Sequence, residues 1–204
     1  MANDNDNVIV IDGYEGTGKS NLGLIVAKQV NPEFDAARET IFSMQDWNNV
    51  FDAGDLGRTY VMDEAGSLLF SRDYASLDSK FLIKLLMQAR ILRSTIILCL
   101  PNMFFLDRYV RESRVQFRAH MEKRTSAMIQ RTVVNWRTGE ARHNDMLRVL
   151  GIPSARDLWP EMWTAYEARK RAAVRAFSGD HTLMLRERKL SQAARIKRLE
   201  AELG

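Results

Sequence analysis

A single cysteine, Cys99, stands among 204 residues, so an internal disulfide framework is excluded. Only His120, His143 and His181 accompany it, and the spacings of structural zinc sites are absent. No hydrophobic run approaches the length a bilayer crossing needs; the longest, around Thr95 to Pro101, is about a third of it. The opening residues 1–7 carry no cationic-then-apolar targeting signal and are expected to be a disordered polar tail. Internal repeats and low-complexity linkers are also lacking. With 46% apolar and 27% charged residues the composition is that of a globular domain, which excludes disordered, collagen-like and purely coiled-coil chains. These absences together give the expectation of a cytoplasmic protein with no membrane span.

Charge is present but unevenly spread. Residues 1–105 hold 9 Lys and Arg against 14 Asp and Glu, net −5, and residues 106–204 hold 21 against 12, net +9. A basic half on a mildly acidic protein suits nucleic acid; anionic lipid, an acidic partner, or simply solvated helix faces also fit it.

The pattern of elements reads as α/β. Val8–Ile11, Thr40–Met44, Thr59–Met62 and Thr95–Leu100 are short, apolar runs expected as strands buried on both faces. Between them, Lys19–Val30 and Asp78–Arg93 repeat apolar residues at helical spacing. Alternating strands and helices imply a mostly parallel central sheet flanked by helices. Val115–Glu122 and Arg131–Trp136 are expected to add an antiparallel edge hairpin, and Leu106–Arg114 a helix. From Asn144 the composition reads as helical and basic, with helices over Trp159–Phe177 and Asp180–Leu203. The domain reading is therefore a core over 1–142 and a basic helical C-terminal appendage over 143–204.

One motif carries chemistry directly. Gly13-Tyr14-Glu15-Gly16-Thr17-Gly18-Lys19-Ser20 fits G-x-x-x-x-G-K-[ST] after a predicted strand and at the opening of a predicted helix, the context that gives the pattern meaning. Its glycines let backbone amides wrap a phosphate chain, and the helix start adds favourable partial charge. Lys19 is expected on the β- and γ-phosphates, Ser20 on Mg²⁺, and Asn21 among the nucleotide-binding positions. The strand Thr59–Met62 then delivers Asp63 and Glu64 side by side. Asp63 is expected in the Mg²⁺ shell and Glu64 as the base that polarises the attacking water. The cofactors implied are ATP and Mg²⁺.

Other positions are less determined by sequence. Asn102 follows the strand Thr95–Leu100 and either senses the γ-phosphate or caps the turn after Pro101. An arginine completing the transition state from a neighbouring subunit is sought in Arg90 and Arg93, or in Arg108, Arg111 and Arg114 on the next element.

The Gly13–Ser20 motif, the strand ending in Asp63-Glu64, Phe70-Ser71-Arg72-Asp73, and the strand ending in Pro101-Asn102 with Leu106-Asp107 and Arg111 beyond it resemble the FtsK/HerA-like P-loop ATPases. Within that group the likeness, over about residues 8–136, is to genome-packaging NTPases of tailless icosahedral archaeal viruses and to zonular-occludens-toxin-like phage and plasmid ATPases. The resemblance implies that the Asn102 strand lies between the strands of the two phosphate-site motifs. It also implies a ring of self-associated subunits pumping double-stranded DNA without sequence preference, with capsid or portal-vertex proteins as further partners and possible virion association. Two departures stand out: the membrane segment usual in filamentous-phage relatives is missing, and Asn102 replaces the Gln of many relatives. The competing readings are a nucleotide-gated DNA-transfer or helicase-loader module and a small-molecule P-loop kinase with Phe70–Ser79 as its lid. In the tail, Ile196, Leu199 and Leu203 form an apolar stripe flanked by cations, which suits docking or backbone contact with DNA.

Overall fold

The computed structural model describes residues 6–63, 75–135, 137, 138 and 140–176. Expectations that fall on residues 1–5, on Glu64, on residues 64–74, on Trp136, and on 177–204 with the helix Asp180–Leu203 lie outside the described residues. Of the disordered tail expected over 1–7, Asn7 instead opens a strand and Asp6 is buried and held by Arg114, and of the lid expected over Phe70–Ser79 the residues from Ala75 on are α-helical.

Seven strands form one sheet in the order β2-β3-β4-β1-β5-β6-β7. They are β1 (Asn7–Asp12), β2 (Thr40–Ile41), β3 (Thr59–Met62), β4 (Thr95–Leu100), β5 (Phe117–Lys123), β6 (Ser126–Val134) and β7 (Ala141–Leu150). The first five run parallel to one another, and β6 and β7 add an antiparallel edge. The architecture is the expected α/β one, and β4 lies between β1 and β3.

Period-two alternation explains how the central strands serve two cores. Val8, Val10, Tyr60, Met62, Ile96, Leu98 and Leu100 point to one face, and Ile11, Val61, Ile97 and Cys99 to the other. The first face is covered by α3 (Met44–Ala53) and α4 (Ala75–Ile91), with Trp47, Leu85, Leu86 and Ala89 buried against it. The second is covered by α1 (Lys19–Val30) through Leu22, Leu24 and Ala27. Gly23 lets α1 come close, since a Cβ there would stand 3.0 Å from Cys99 Sγ. A short helix, α2 (Ala36–Glu39), precedes β2.

Several expectations are corrected. The strand expected over Thr40–Met44 is only Thr40–Ile41, because Ser43 begins α3 with a capping box: its hydroxyl accepts from the Asp46 amide and the Asp46 carboxylate accepts back from Ser43 N. The helix expected over Leu106–Arg114 is present only from residue 108 and ends as a π-helix over Val110–Arg114; a 3₁₀ turn at Met103–Phe105 precedes it. Here Asn102 and Asp107 side chains take backbone amides and Arg114 is held by Asp6 and the Leu86 carbonyl. The helical reading from Asn144 fails at its start: residues through Leu150 are strand β7, paired to β6 from Val134↔Ala141 to Ser126↔Leu150.

The chain divides after Tyr166 into two compact units, whereas composition placed the boundary after residue 142. Ile152, Ala155, Met162 and Tyr166 share the α1-side core, which ties this segment to the sheet. In the first unit, α5 (Ala155–Leu158) is followed by helical residues 160–166, with Pro160 in the first turn. In the second, 167–176 are helical and Arg171 pairs with Glu167 at 2.9 Å.

Candidate functional site

The end of β1 feeds a loop whose backbone only glycine adopts at low cost. Gly13 has φ +147° and a Cβ there would sit 2.7 Å from the Met121 carbonyl oxygen; Gly18, at φ +91°, is the left-handed N-cap of α1. The loop is pinned to β4 by Gly13 N donating to Pro101 O at 3.3 Å. Thr17 closes it internally, its hydroxyl donating to Tyr14 O at 2.7 Å, while Tyr14, Glu15 and Gly16 are exposed. Lys19 Nζ folds back to donate to the carbonyls of Gly13 and Tyr14, both at 2.9 Å. An ammonium on two neutral carbonyls is readily transferred to a charged acceptor.

At the first turn of α1, Ser20 Oγ donates to Asp63 Oδ1 at 2.6 Å. Asp63 follows β3 directly and is 2% exposed. This joins the two sequence motifs in one place, across β4. One hydroxyl and one carboxylate beside the glycine loop are hard oxygen donors of the kind that could hold Mg²⁺ together with phosphates and water. No cluster of three or more His, Cys, Asp or Glu among the described residues would hold a metal unaided.

Asn21 is engaged elsewhere. Its amide donates to Pro153 O at 2.9 Å and accepts from Ala155 N at 2.7 Å, so it locks the 153–155 segment and the start of α5 to α1. Asn102 lies at the loop end of β4, where its Oδ1 accepts from Phe104 N at 2.9 Å; of the two roles left open for it, the cap is the one its oxygen performs.

Arg90 and Arg93 precede β4, at the opposite end of the sheet from the loop. Six residues of strand separate them from it, about 20 Å at the rise of an extended chain, so neither reaches the glycine loop of the same chain. Arg93 instead has a left-handed φ of 54° and terminates α4: Ser94 N donates to Ala89 O and Arg93 N to Arg90 O, the paired bonds of a Schellman motif. Arg108 pairs with Glu112 at 2.9 Å, Arg111 lies over the Phe104 ring at 5.3 Å, and Arg114 holds Asp6. Glu64 lies outside the described residues.

Three features beside the loop escaped the sequence reading. The first is a charged knot at the end of β1. Asp12, 1% exposed, accepts two bonds from Arg118, at 3.1 and 2.7 Å, one from Met103 N at 3.0 Å, and lies 2.9 Å from His120 Nδ1. Burial pushes its carboxyl up, but the Arg118 and Met103 bonds and the Arg118 charge outweigh that and hold it below the ordinary range. Nearby, burial and the charges of Arg118 and Arg111 hold the His143 imidazole below its ordinary range. An acid closing an apolar strand and Arg118 and His120 two apart on β5 were the available signals. The second is Arg124 in the β5–β6 turn, whose Cγ stands 3.5 Å from where a Cβ on Gly18 would be. The third is Tyr166, whose hydroxyl donates to Asp63 Oδ2 at 2.5 Å; nothing local in sequence announces a contact across 103 residues.

No protein-family model matches the chain, and no curated protein matches it significantly. None of the described helices is long and apolar enough to cross a membrane.

Proposed function

We propose that the chain is a P-loop NTPase, an ATP-hydrolysing motor that translocates double-stranded DNA, with viral genome packaging as its setting. The observation that carries the nucleotide reading is the 2.6 Å bond from Ser20 to Asp63 at the foot of a loop whose glycine conformations and lysine suit a triphosphate. In this reading Lys19 leaves the Gly13 and Tyr14 carbonyls for the β- and γ-phosphates, and the amides opening α1 take the remaining phosphate charge. Ser20 and Asp63 hold Mg²⁺, which neutralises developing phosphate charge when bound. Glu64, next to Asp63 in sequence, orients and deprotonates the attacking water. Arg90 or Arg93, remote from their own loop, serve a neighbouring subunit of a ring. The DNA reading draws on the net +9 of residues 106–204 and on the FtsK/HerA-like pattern of motifs.

Two substitutions test the nucleotide reading. Lys19→Ala should weaken nucleotide binding itself, whereas Glu64→Gln should bind Mg²⁺ and ATP normally and fail to hydrolyse it. Equal hydrolysis by Glu64→Gln and the parent would contradict the assignment of the base.

A further inference from the structure

We propose that Tyr166 is a positioning residue for the Asp63–Ser20 pair and, through that pair, for the divalent cation of a bound nucleotide; the assignment rests on the nucleotide-binding reading above. The Tyr166 hydroxyl donates to Asp63 Oδ2 at 2.5 Å while Ser20 Oγ donates to Oδ1 at 2.6 Å. Both partners are enclosed, Tyr166 at 3% and Asp63 at 2% exposure.

The torsion that turns a carboxylate about its own axis is soft and broad. A donor on each oxygen removes that freedom and fixes the carboxylate plane relative to α1 and the phosphate loop. A carboxylate has about four acceptor sites, so holding two hydroxyls does not by itself bar it from a hydrated cation. Hydroxyl-to-carboxylate bonds of this length are among the stronger hydrogen bonds, and partners of this kind orient the groups that hold a metal. The ring of Tyr166 is itself fixed, its centroid 5.4 Å from Trp163 and 6.2 Å from Phe42. Phenylalanine keeps the ring that makes this aromatic packing and loses the hydroxyl that bonds Asp63.

The test is binding of a fluorescent ADP analogue to the full chain during titration with Mg²⁺, and again in EDTA. Tyr166→Phe should raise the Mg²⁺ concentration for half-maximal binding by about tenfold or more, with affinity in EDTA unchanged. Trp163→Phe, which disturbs the same aromatic group and keeps the Tyr166 hydroxyl, should leave the Mg²⁺ requirement at the parental value. In an Asp63→Asn background, adding Tyr166→Phe should cause no further loss, because the two act as one unit. A parental Mg²⁺ requirement in Tyr166→Phe, or an equal loss with and without Mg²⁺, or additive losses in the double variant, would each overturn the assignment. Absence of any Mg²⁺-dependent nucleotide binding in the parent protein would overturn the nucleotide reading and this assignment together.

Discussion

Asp12→Asn keeps the shape of the side chain that ends β1 and removes its charge. In the native protein that charge sits at 1% exposure against the Arg118 guanidinium, itself only 13% exposed. Removing one member of a buried pair leaves the other desolvated without compensation, at a cost of about 3–5 kcal/mol. Arg118 keeps a 3.0 Å bond to Gln130 and the face of Phe104, and an Asn oxygen can still accept from Met103 N, so the lower end applies, about 3 kcal/mol. With a urea slope of about 2 kcal/mol/M the midpoint should fall by about 1.5 M at pH 7. The pH dependence is a second, independent reading. The Asp12 carboxyl has its folded pKa below the unfolded one, so its contribution is complete above about pH 4 and is lost as pH falls through the folded value. The gap between parent and variant should therefore be widest near neutrality and shrink in urea titrations below pH 4. A loss under about 0.5 kcal/mol at pH 7, or a gap that stays constant into strong acid, would refute the claim that a buried, charged knot fastens β1, the strand that feeds the glycine loop, to β5 and to the Met103 turn.

Two further outcomes follow from local geometry. Arg93→Gly should raise stability to urea by about 0.5–1 kcal/mol, since glycine occupies the left-handed helix terminus without the Cβ penalty; a loss of stability would contradict the helix-cap account of that residue. Trp47→Phe should cost about 2 kcal/mol by removing the 2.8 Å indole bond to Gln88 and the edge contact with Tyr60, measured by thermal or urea unfolding; an unchanged midpoint would contradict it.

The parts of the molecule legible in sequence are those set by local rules. β1, the glycine loop and α1 follow one another within 24 residues, each with its own periodicity or turn chemistry, and β3 and β4 are apolar because both of their faces are covered. β7 is illegible for the opposite reason: as an edge strand it keeps Arg142, Asn144, Asp145, Met146, Leu147 and Arg148 exposed, so neither face imposes an alternation, and its existence depends on hydrogen bonds to β6. α3 carried its signal in Ser43 and Asp46, but the preceding apolar residues Thr40–Phe42 drew the strand reading past its cap. In the site, the Ser20–Asp63 meeting was foreseeable from two known motif positions. The contributions of Asp12, Arg118 and Tyr166 were not, because each depends on a partner more than 100 residues away, and charge and aromatic character alone do not encode such pairing.

The most direct test of the functional account is steady-state ATP hydrolysis by the full chain with Mg²⁺, measured with and without linear duplex DNA of mixed sequence, with Glu64→Gln as the control. The account predicts Mg²⁺-dependent hydrolysis that rises strongly with duplex DNA and is absent in the Glu64→Gln variant. Hydrolysis that is missing in the parent under every condition, or that duplex DNA leaves unchanged, would contradict a DNA-translocating ATPase.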